Sequence, residues 1–109
     1  MKVLISVIDS QIGSASVDEI SKITLFNNRM REEGRLIFSD GLSSPKDAYV
    51  VDNRSSEHKV FPGSLHHSCE FISGIWILEV ENMDEARSIS LEASFSCNRR
   101  VELRPFYQE

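Results

Sequence analysis

The chain has 109 residues, of which 40% are hydrophobic and 27% are charged, with a formal net charge of −5. These values are typical of globular proteins, so we expect residues 1–109 to form a single domain. The acidic balance argues against nucleic acid or an anionic membrane as a partner. No apolar run approaches the roughly 20 residues that span a bilayer. The apolar start is also too short for a signal peptide, so we expect a cytoplasmic protein with Cys69 and Cys97 as reduced thiols.

The first third of the chain predicts a strand followed by a helix. Val3 to Ile8 is rich in β-branched residues and predicts a strand that is mostly apolar on both faces. Ser16 and Glu19 have the spacing of a capping box, which predicts a helix from there to about Glu33, with Gly34 as its C-terminal cap. Its apolar residues recur at helical spacing, and we expect them to be buried: Ile20, Ile23, Phe26 and Met30.

The middle of the chain predicts a short strand and a hairpin. Residues 35–38 have the composition of a strand, and the turn-prone residues 39–41 are expected to end it. Residues 48–51 and 59–61 are typical of two hairpin strands, joined by the polar tip 52–57. Helical spacing is absent across this region, so we expect no third long helix.

A long apolar strand follows, from Ile72 to Val80 around Trp76. Residues on both of its faces are apolar, which is typical of a strand buried on two sides. Gly74 permits a bulge or a close backbone approach near its start.

The last part of the chain predicts a helix and a final strand. Asn82 and Glu85 indicate a second capping box at the start of a helix of about three turns. The buried stripe of this helix is expected to be Ala86, Ile89 and Ala93. Residues 94–99 then read as a loop and residues 101–104 as a strand, with Pro105 at its end.

This order of elements predicts the α+β class. It is the order of a ferredoxin-like β-α-β-β-α-β antiparallel sheet with two helices on one face and an inserted hairpin. The first and central strands are nevertheless apolar on both faces, and leaving one face wet would expose a larger patch than monomers usually tolerate. We therefore expect a homodimer resembling a dimeric α/β barrel, in which a second copy covers the bare face.

The chain resembles a known family over nearly its whole length. The segments that carry the resemblance are residues 33–36, 40–42, 70–80, 83–86 and 101–106. In their order and spacing they are similar to the YCII-related proteins, in the branch named for an Asp-Gly-Pro-Phe motif. The resemblance implies a dimeric ferredoxin-like fold with a pocket between the sheet and the hairpin loops. It also implies small-molecule substrates, often aromatic or quinone-like.

The chain departs from this family at the positions proposed to carry chemistry. Where the branch has its name motif, the chain reads Pro62-Gly63-Ser64-Leu65, so Pro62 replaces the acidic residue. Where other YCII-related proteins carry a histidine on the first helix, this chain aligns Ile23. The histidine–acid pair proposed for the family is therefore not intact here, and any catalysis would need other groups.

His66 and His67 are the residues best suited to acid–base chemistry. They lie in the loop that corresponds to the family's motif, and an imidazole exchanges protons near neutral pH. Asp40 or Glu70 is expected to orient one of them. The alternative for the pair is a solvent-facing or backbone-bonded position in the loop.

Other ligand sets receive less support from the sequence. His66, His67 and Cys69 offer metal donors, but adjacent strand residues point to opposite faces and no spacing matches a zinc site, so we expect no metal. Tyr49, Phe61 and Trp76 are candidates to line an aromatic pocket, although Trp76 also suits the core. No phosphate loop or dinucleotide motif is present, so no nucleotide cofactor is expected.

Two functions follow from these residues. The first is a cofactor-free enzyme that performs elimination, isomerisation or cyclisation on a small metabolite, aromatic metabolites included. In it His66 or His67 acts as acid or base with help from Asp40. The alternative is a non-catalytic ligand-binding or accessory protein that kept the fold and lost the family's residue pair. A structure separates them by the position of the two imidazoles relative to a carboxylate and a closed pocket.

Overall fold

A computed structural model describes residues 1–11 and 13–108. The elements in chain order are β1 (Lys2–Asp9), α1 (Val17–Glu32), β2 (Leu36–Gly41), β3 (Tyr49–Asp52), β4 (Lys59–Pro62), β5 (Phe71–Glu79), α2 (Met83–Cys97) and β6 (Arg100–Pro105). A short 3₁₀ turn at Pro45–Asp47 precedes β3. The order of strands and helices agrees with the prediction from the sequence.

Four of the strands form one antiparallel sheet in the order β2-β5-β1-β6. When the hairpin β3–β4 is set aside, this is the ferredoxin-like order, with the first and third strands in the centre. The predicted α+β fold is therefore confirmed. The predicted bulge is also present, because the register of β1 against β5 shifts between Val7 and Ile8, opposite Gly74 and Ile72.

The core lies between the sheet and the two helices. On the sheet its most deeply buried side chains are Val3, Ile5 and Leu78, each fully inaccessible. The helices contribute Phe26, Met30, Ala86, Ile89 and Ala93, which are also buried. Trp76 joins the two layers, because its ring meets that of Phe26 edge-on at 5.3 Å between centroids. The other face of the sheet is covered by neither helix.

The helix ends form as the local sequence dictates, with one difference. The Ser16–Glu19 capping box is complete, and Gly34 follows α1 with a positive φ of 73°, donating to the carbonyl of Arg31 in a Schellman-type end. At α2, the Asn82 side chain accepts from the Glu85 N–H as expected. The Glu85 carboxylate, however, accepts from the N–H of Glu81 instead of completing the second box.

Three further expectations from the sequence are wrong. Residues 39–41 continue β2 and do not turn, because they pair with residues 74–76 of β5. Residues 94–97 extend α2, since Asn98 adopts a left-handed conformation and ends the helix there. Ile20 is 54% exposed, because it lies toward the outer flank of α1 whereas Phe26 and Met30 face the sheet.

The predicted hairpin is present and lies apart from the four-stranded sheet. Its register pairs Tyr49 with Pro62 and Asp52 with Lys59. The radius of gyration is 15.8 Å, whereas a compact domain of this length has about 13 Å. This excess is consistent with a hairpin that projects from the body. Within residues 1–11 and 13–108, neither helix is long and apolar enough to cross a bilayer.

Candidate functional site

A half-open cavity of about 350 Å³ lies between α1 and the sheet. Its walls come from the ends of β1, β2 and β5, from one flank of α1 and from the segment after α2. The residues that line it are Val7, Asp9, Ala15, Ile23, Asn27, Ser39, Asp40, Gly41, Ser73, Gly74, Ile75, Trp76, Cys97 and Arg99. We call it the helix–sheet cavity. Its size is at the lower end of the range for small-molecule sites.

Two glycines make room for this cavity. Gly41 in β2 and Gly74 in β5 lie directly opposite each other, and alternation places them on the same face as Ser39 and Trp76. A Cβ at Gly74 would lie 3.3 Å from the carbonyl oxygen of Asp40. With no side chain at either glycine, the sheet leaves a gap beneath α1. Ile23 and Trp76 form apolar parts of its wall.

The amide of Asn27 has a defined orientation in this cavity. Trp76 Nε1 donates a 2.6 Å hydrogen bond to Asn27 Oδ1, and since an indole N–H can only donate, the amide oxygen must face it. Within the described residues, this is the one hydrogen bond that the Asn27 side chain makes. Its NH₂ group is thus a fixed donor at the cavity wall, next to the ring of Trp76.

Arg99 closes the polar end of the cavity. Its guanidinium lies 3.4 Å from Asp9 Oδ1 at the end of β1 and 3.1 Å from Glu19 Oε2 in the first turn of α1. It also donates a 2.5 Å hydrogen bond to Ser14 Oγ. All three ionic side chains are mostly shielded from solvent. We call Asp9, Ser14, Glu19 and Arg99 the Arg99 cluster.

The carboxylates of this cluster are held in their charged form. The pKa of Glu19 is lowered from its ordinary 4.5 to about 2, first by the backbone N–H of Ser16 and then by Asn98 and Arg99. Burial acts to raise the pKa of Asp9, but N–H groups of Gln11 and Ser10 together with Arg99 outweigh it and lower the value. The cluster is therefore a fixed set of charges and is poorly suited to proton transfer near neutral pH.

Cys97 lies at the end of α2 and contributes its buried side chain to the cavity. Burial raises the pKa of its thiol, which keeps the sulfur protonated and a weak nucleophile. Cys69 is exposed in the loop before β5. At Cys97 the effect of burial outweighs the opposing effect of the nearby Arg99 guanidinium.

Of the predicted site residues, Asp40 and Trp76 border the helix–sheet cavity. Trp76 is 4% exposed and belongs both to the core and to the cavity wall. Asp40 is exposed and pairs with Ile75 on the sheet face away from the helices, where its carboxylate accepts from the N–H of Gly41. The two residues reach the same cavity from different sides of the sheet.

His66 borders a different cavity, of about 540 Å³, between the base of the hairpin and the start of β5. Leu42, Ala48, Leu65, Phe71 and Ile72 also line it, and we call it the hairpin cavity. His66 and His67 are both exposed, and within the described residues neither imidazole makes a hydrogen bond. Glu70, their expected partner, borders the same cavity as His66, and its carboxylate pairs with Arg100.

Asp40 therefore borders one cavity and His66 borders another, and His67 borders neither. Tyr49 and Phe61 lie on the hairpin, 68% and 54% exposed, and border neither cavity. In the part of the chain that the structure describes, no three His, Cys, Asp or Glu side chains converge as metal ligands do. The acid–base role of His66 or His67 with Asp40 stays a prediction.

Sequence reasoning missed Asn27, Gly41 and the Arg99 cluster. Asn27 lies among residues of a polar helix flank, and its partner Trp76 is 49 positions away. Arg99 stands in no sequence motif, and its partner Glu19 is 80 positions away. A scan against models of known protein families gives no match to this chain, and a search of curated proteins gives none either.

Proposed function

We propose that this chain binds a compact, flat organic molecule in the helix–sheet cavity. The observation that carries the proposal is the Asn27 amide, whose oxygen is held by Trp76 and whose NH₂ group is left as a fixed donor in a half-open, partly apolar cavity. A cavity of about 350 Å³ accommodates one or two rings, since an engineered site of about 150 Å³ already binds benzene. A ligand with a carbonyl or ring-nitrogen acceptor satisfies the amide.

Binding without catalysis is the function that this geometry supports best. The charges that border the cavity are engaged: Arg99 contacts Asp9 and Glu19, and the carboxylate of Asp40 accepts from the N–H of Gly41. The histidines border or lie near another cavity. Kinship with the YCII-related proteins belongs to the same proposal, and the ferredoxin-like strand order supports it.

A homodimer is the second part of the proposal. The sheet face away from the helices carries Leu4, Ile75 and Ile77, which are half-buried, and Phe38 and Ile72, which are 49% and 45% exposed. Such a face is stabilised when an equivalent face packs on it about a two-fold axis. Sedimentation velocity of the wild-type chain tests this part, with a particle of twice 12.4 kDa expected at micromolar concentration.

The single tryptophan provides a direct test of ligand binding, because it lies in the cavity wall. We expect benzamide, which has a ring and a carbonyl acceptor, to change Trp76 fluorescence saturably and to bind more tightly than toluene, which has only the ring. Gly41→Val places a branched side chain in the cavity and should abolish the saturable change. Ile37→Val, in the same strand but outside the cavity, is the matched control.

Saturable binding of benzamide or related ring–carbonyl compounds that Gly41→Val leaves intact would place the ligand elsewhere and contradict the proposed site. The proposal is also contradicted if no compound of this class changes the fluorescence up to millimolar concentration. Circular dichroism and the urea midpoint of Gly41→Val verify that the variant is folded.

A further inference from the structure

The β3–β4 hairpin, which we call the arm (residues 49–62), has an apolar face that nothing in the described part of the chain covers. Its register pairs Tyr49 with Pro62 and Val51 with Val60, and side chains directly opposite each other share a face. Tyr49 and Val51 are each 68% exposed, and Val60 is 57% exposed. These four residues therefore form one continuous exposed apolar surface, the arm face.

The arm is attached to the body only through its base. Within the described residues, its ion pairs are internal, Arg54 with Asp52 and Lys59 with Glu57. Its hydrogen bonds are also internal or link its two ends, as does the 2.7 Å bond from Gly63 N–H to the carbonyl of Ala48. An isolated two-stranded hairpin is at best marginally stable in water. The arm is thus expected to need a partner surface.

The arm is continuous with the bare face of the sheet. The hairpin cavity joins Ala48 and Leu65 at the base of the arm to Ile72 in β5, and Ile72 pairs with Ile8 on the face that the helices leave uncovered. A molecule that packs on the bare face therefore also meets the arm.

The size of the bare face explains why an arm is needed. Strands spaced ~4.8 Å apart with ~3.3 Å per residue give a four-stranded, six-residue face roughly 400 Å² in area. A stable interface buries about 800 Å² per partner. The sheet face alone is therefore at the small end for a stable interface, and the arm face is the adjoining apolar surface that enlarges it.

The charge of the arm favours a second copy over a charged partner. Its two basic and two acidic side chains balance and pair with each other, so the arm brings no net charge to a contact between two chains that each carry −5. We propose that the arm of each copy packs across a second copy of this chain and completes the homodimer interface. This inference rests on the homodimer proposed above.

The experiment compares the dissociation constant of the wild-type dimer with those of full-length variants, by sedimentation velocity. Val51→Lys/Val60→Lys places two charges on the arm face and should weaken the dimer at least about 100-fold. Ser55→Lys/Ser56→Lys adds the same two charges at the polar tip of the same arm, outside the arm face, and should change the constant less than about threefold. Ile77→Lys, on the sheet face, should also break the dimer.

The outcomes separate this inference from the dimer itself. If Ile77→Lys breaks the dimer and Val51→Lys/Val60→Lys does not, the arm proposal is overturned and the dimer stands. A monomeric wild-type chain overturns both. Amide hydrogen exchange of the wild type gives a readout independent of the variants. Arm amides in β3 and β4 should be protected at high protein concentration and lose protection on dilution, and protection that is independent of concentration contradicts the proposal.

Discussion

Trp76 of β5 and Asn27 of α1 are joined by a 2.6 Å hydrogen bond that connects the sheet to the first helix at the wall of the helix–sheet cavity. The contact has a structural and a functional consequence. It satisfies the indole N–H of a nearly buried tryptophan. A buried N–H without a hydrogen-bond acceptor would lower the stability of the fold. It also fixes the amide so that its NH₂ group is the part left for a ligand.

Replacing Asn27 by aspartate should weaken benzamide binding by about 3- to 10-fold, the effect of losing one neutral hydrogen bond of about 0.5–1.5 kcal/mol. The introduced carboxylate would keep an oxygen for Trp76 Nε1 but would lose the donor that faces the ligand. The measurement is a Trp76 fluorescence titration with benzamide and with toluene. Toluene binding should change less, because toluene has no acceptor for the amide.

The matched control for this variant is Asn28→Asp. Asn28 is the next residue of α1, is exposed and accepts from Arg31, so the same charge is added outside the cavity. If both variants weaken benzamide binding equally, the effect is one of net charge and the Asn27 amide is not a ligand donor.

The two glycines of the cavity should differ in their tolerance of a methyl group. At Gly74 a Cβ would lie 3.3 Å from the backbone oxygen of Asp40, whereas at Gly41 the nearest atom is 3.7 Å away. We expect Gly74→Ala to lower the free energy of unfolding by about 1 kcal/mol. Gly41→Ala should leave it within about 0.5 kcal/mol or raise it slightly. Urea unfolding curves measure the free energy of unfolding of both variants. Equal effects would contradict the difference in space that we assign to Gly41 and Gly74.

The stability of the chain should fall as the pH drops below about 4.5. The pKa of Glu19 is about 2 in the folded chain against an ordinary 4.5, so its contribution is full above the unfolded value and is lost as the pH falls through the folded one. The lowered pKa values of Asp9 and Glu85 act in the same direction. The urea midpoint, measured between pH 7 and pH 2.5, should therefore decrease toward acid.

Glu19→Gln tests which residue is responsible for this decrease. The variant should be less stable than the wild type at pH 7 and should show a smaller drop on acidification. Glu32→Gln, at an exposed position of α1, is the matched control and should keep the wild-type profile. An unchanged profile in Glu19→Gln would show that the Ser16 and Arg99 contacts do not stabilise the charged form.

The fold could be predicted from the sequence because each element carries its own local signal. Alternating and β-branched residues marked the strands, and capping residues such as Ser16 and Asn82 marked the helix starts. The errors occurred where tertiary pairing overrides local composition. Residues 39–41 have turn chemistry and yet extend β2, because β5 offers them a partner strand.

The candidate site was harder to predict because it depends on contacts between distant residues. Trp76, predicted to line a pocket, and Asp40, predicted to assist a histidine, both border the cavity, but neither histidine does. Tyr49 and Phe61 were grouped with Trp76 as aromatic residues, but they lie on the arm, away from the cavity. The Asn27 amide and the Arg99 guanidinium have no local pattern, since their roles arise only when α1, β1 and β5 assemble.

Among the side chains at the polar end of the cavity, Arg99 is expected to contribute most to the stability of the fold. Arg99→Met removes the cation from Asp9 and Glu19 and the donor from Ser14, and should lower the free energy of unfolding by about 2 kcal/mol at pH 7. Arg99→Lys should keep only part of the stability that Arg99→Met loses, because one ammonium group cannot make the several directed hydrogen bonds of a planar guanidinium.

A double-mutant cycle by urea unfolding tests whether Arg99 and Glu19 are coupled. Arg99→Met/Glu19→Gln should lower the free energy of unfolding by less than the sum of the two single variants. Strict additivity would mean that the two side chains are not energetically coupled, despite the 3.1 Å between them.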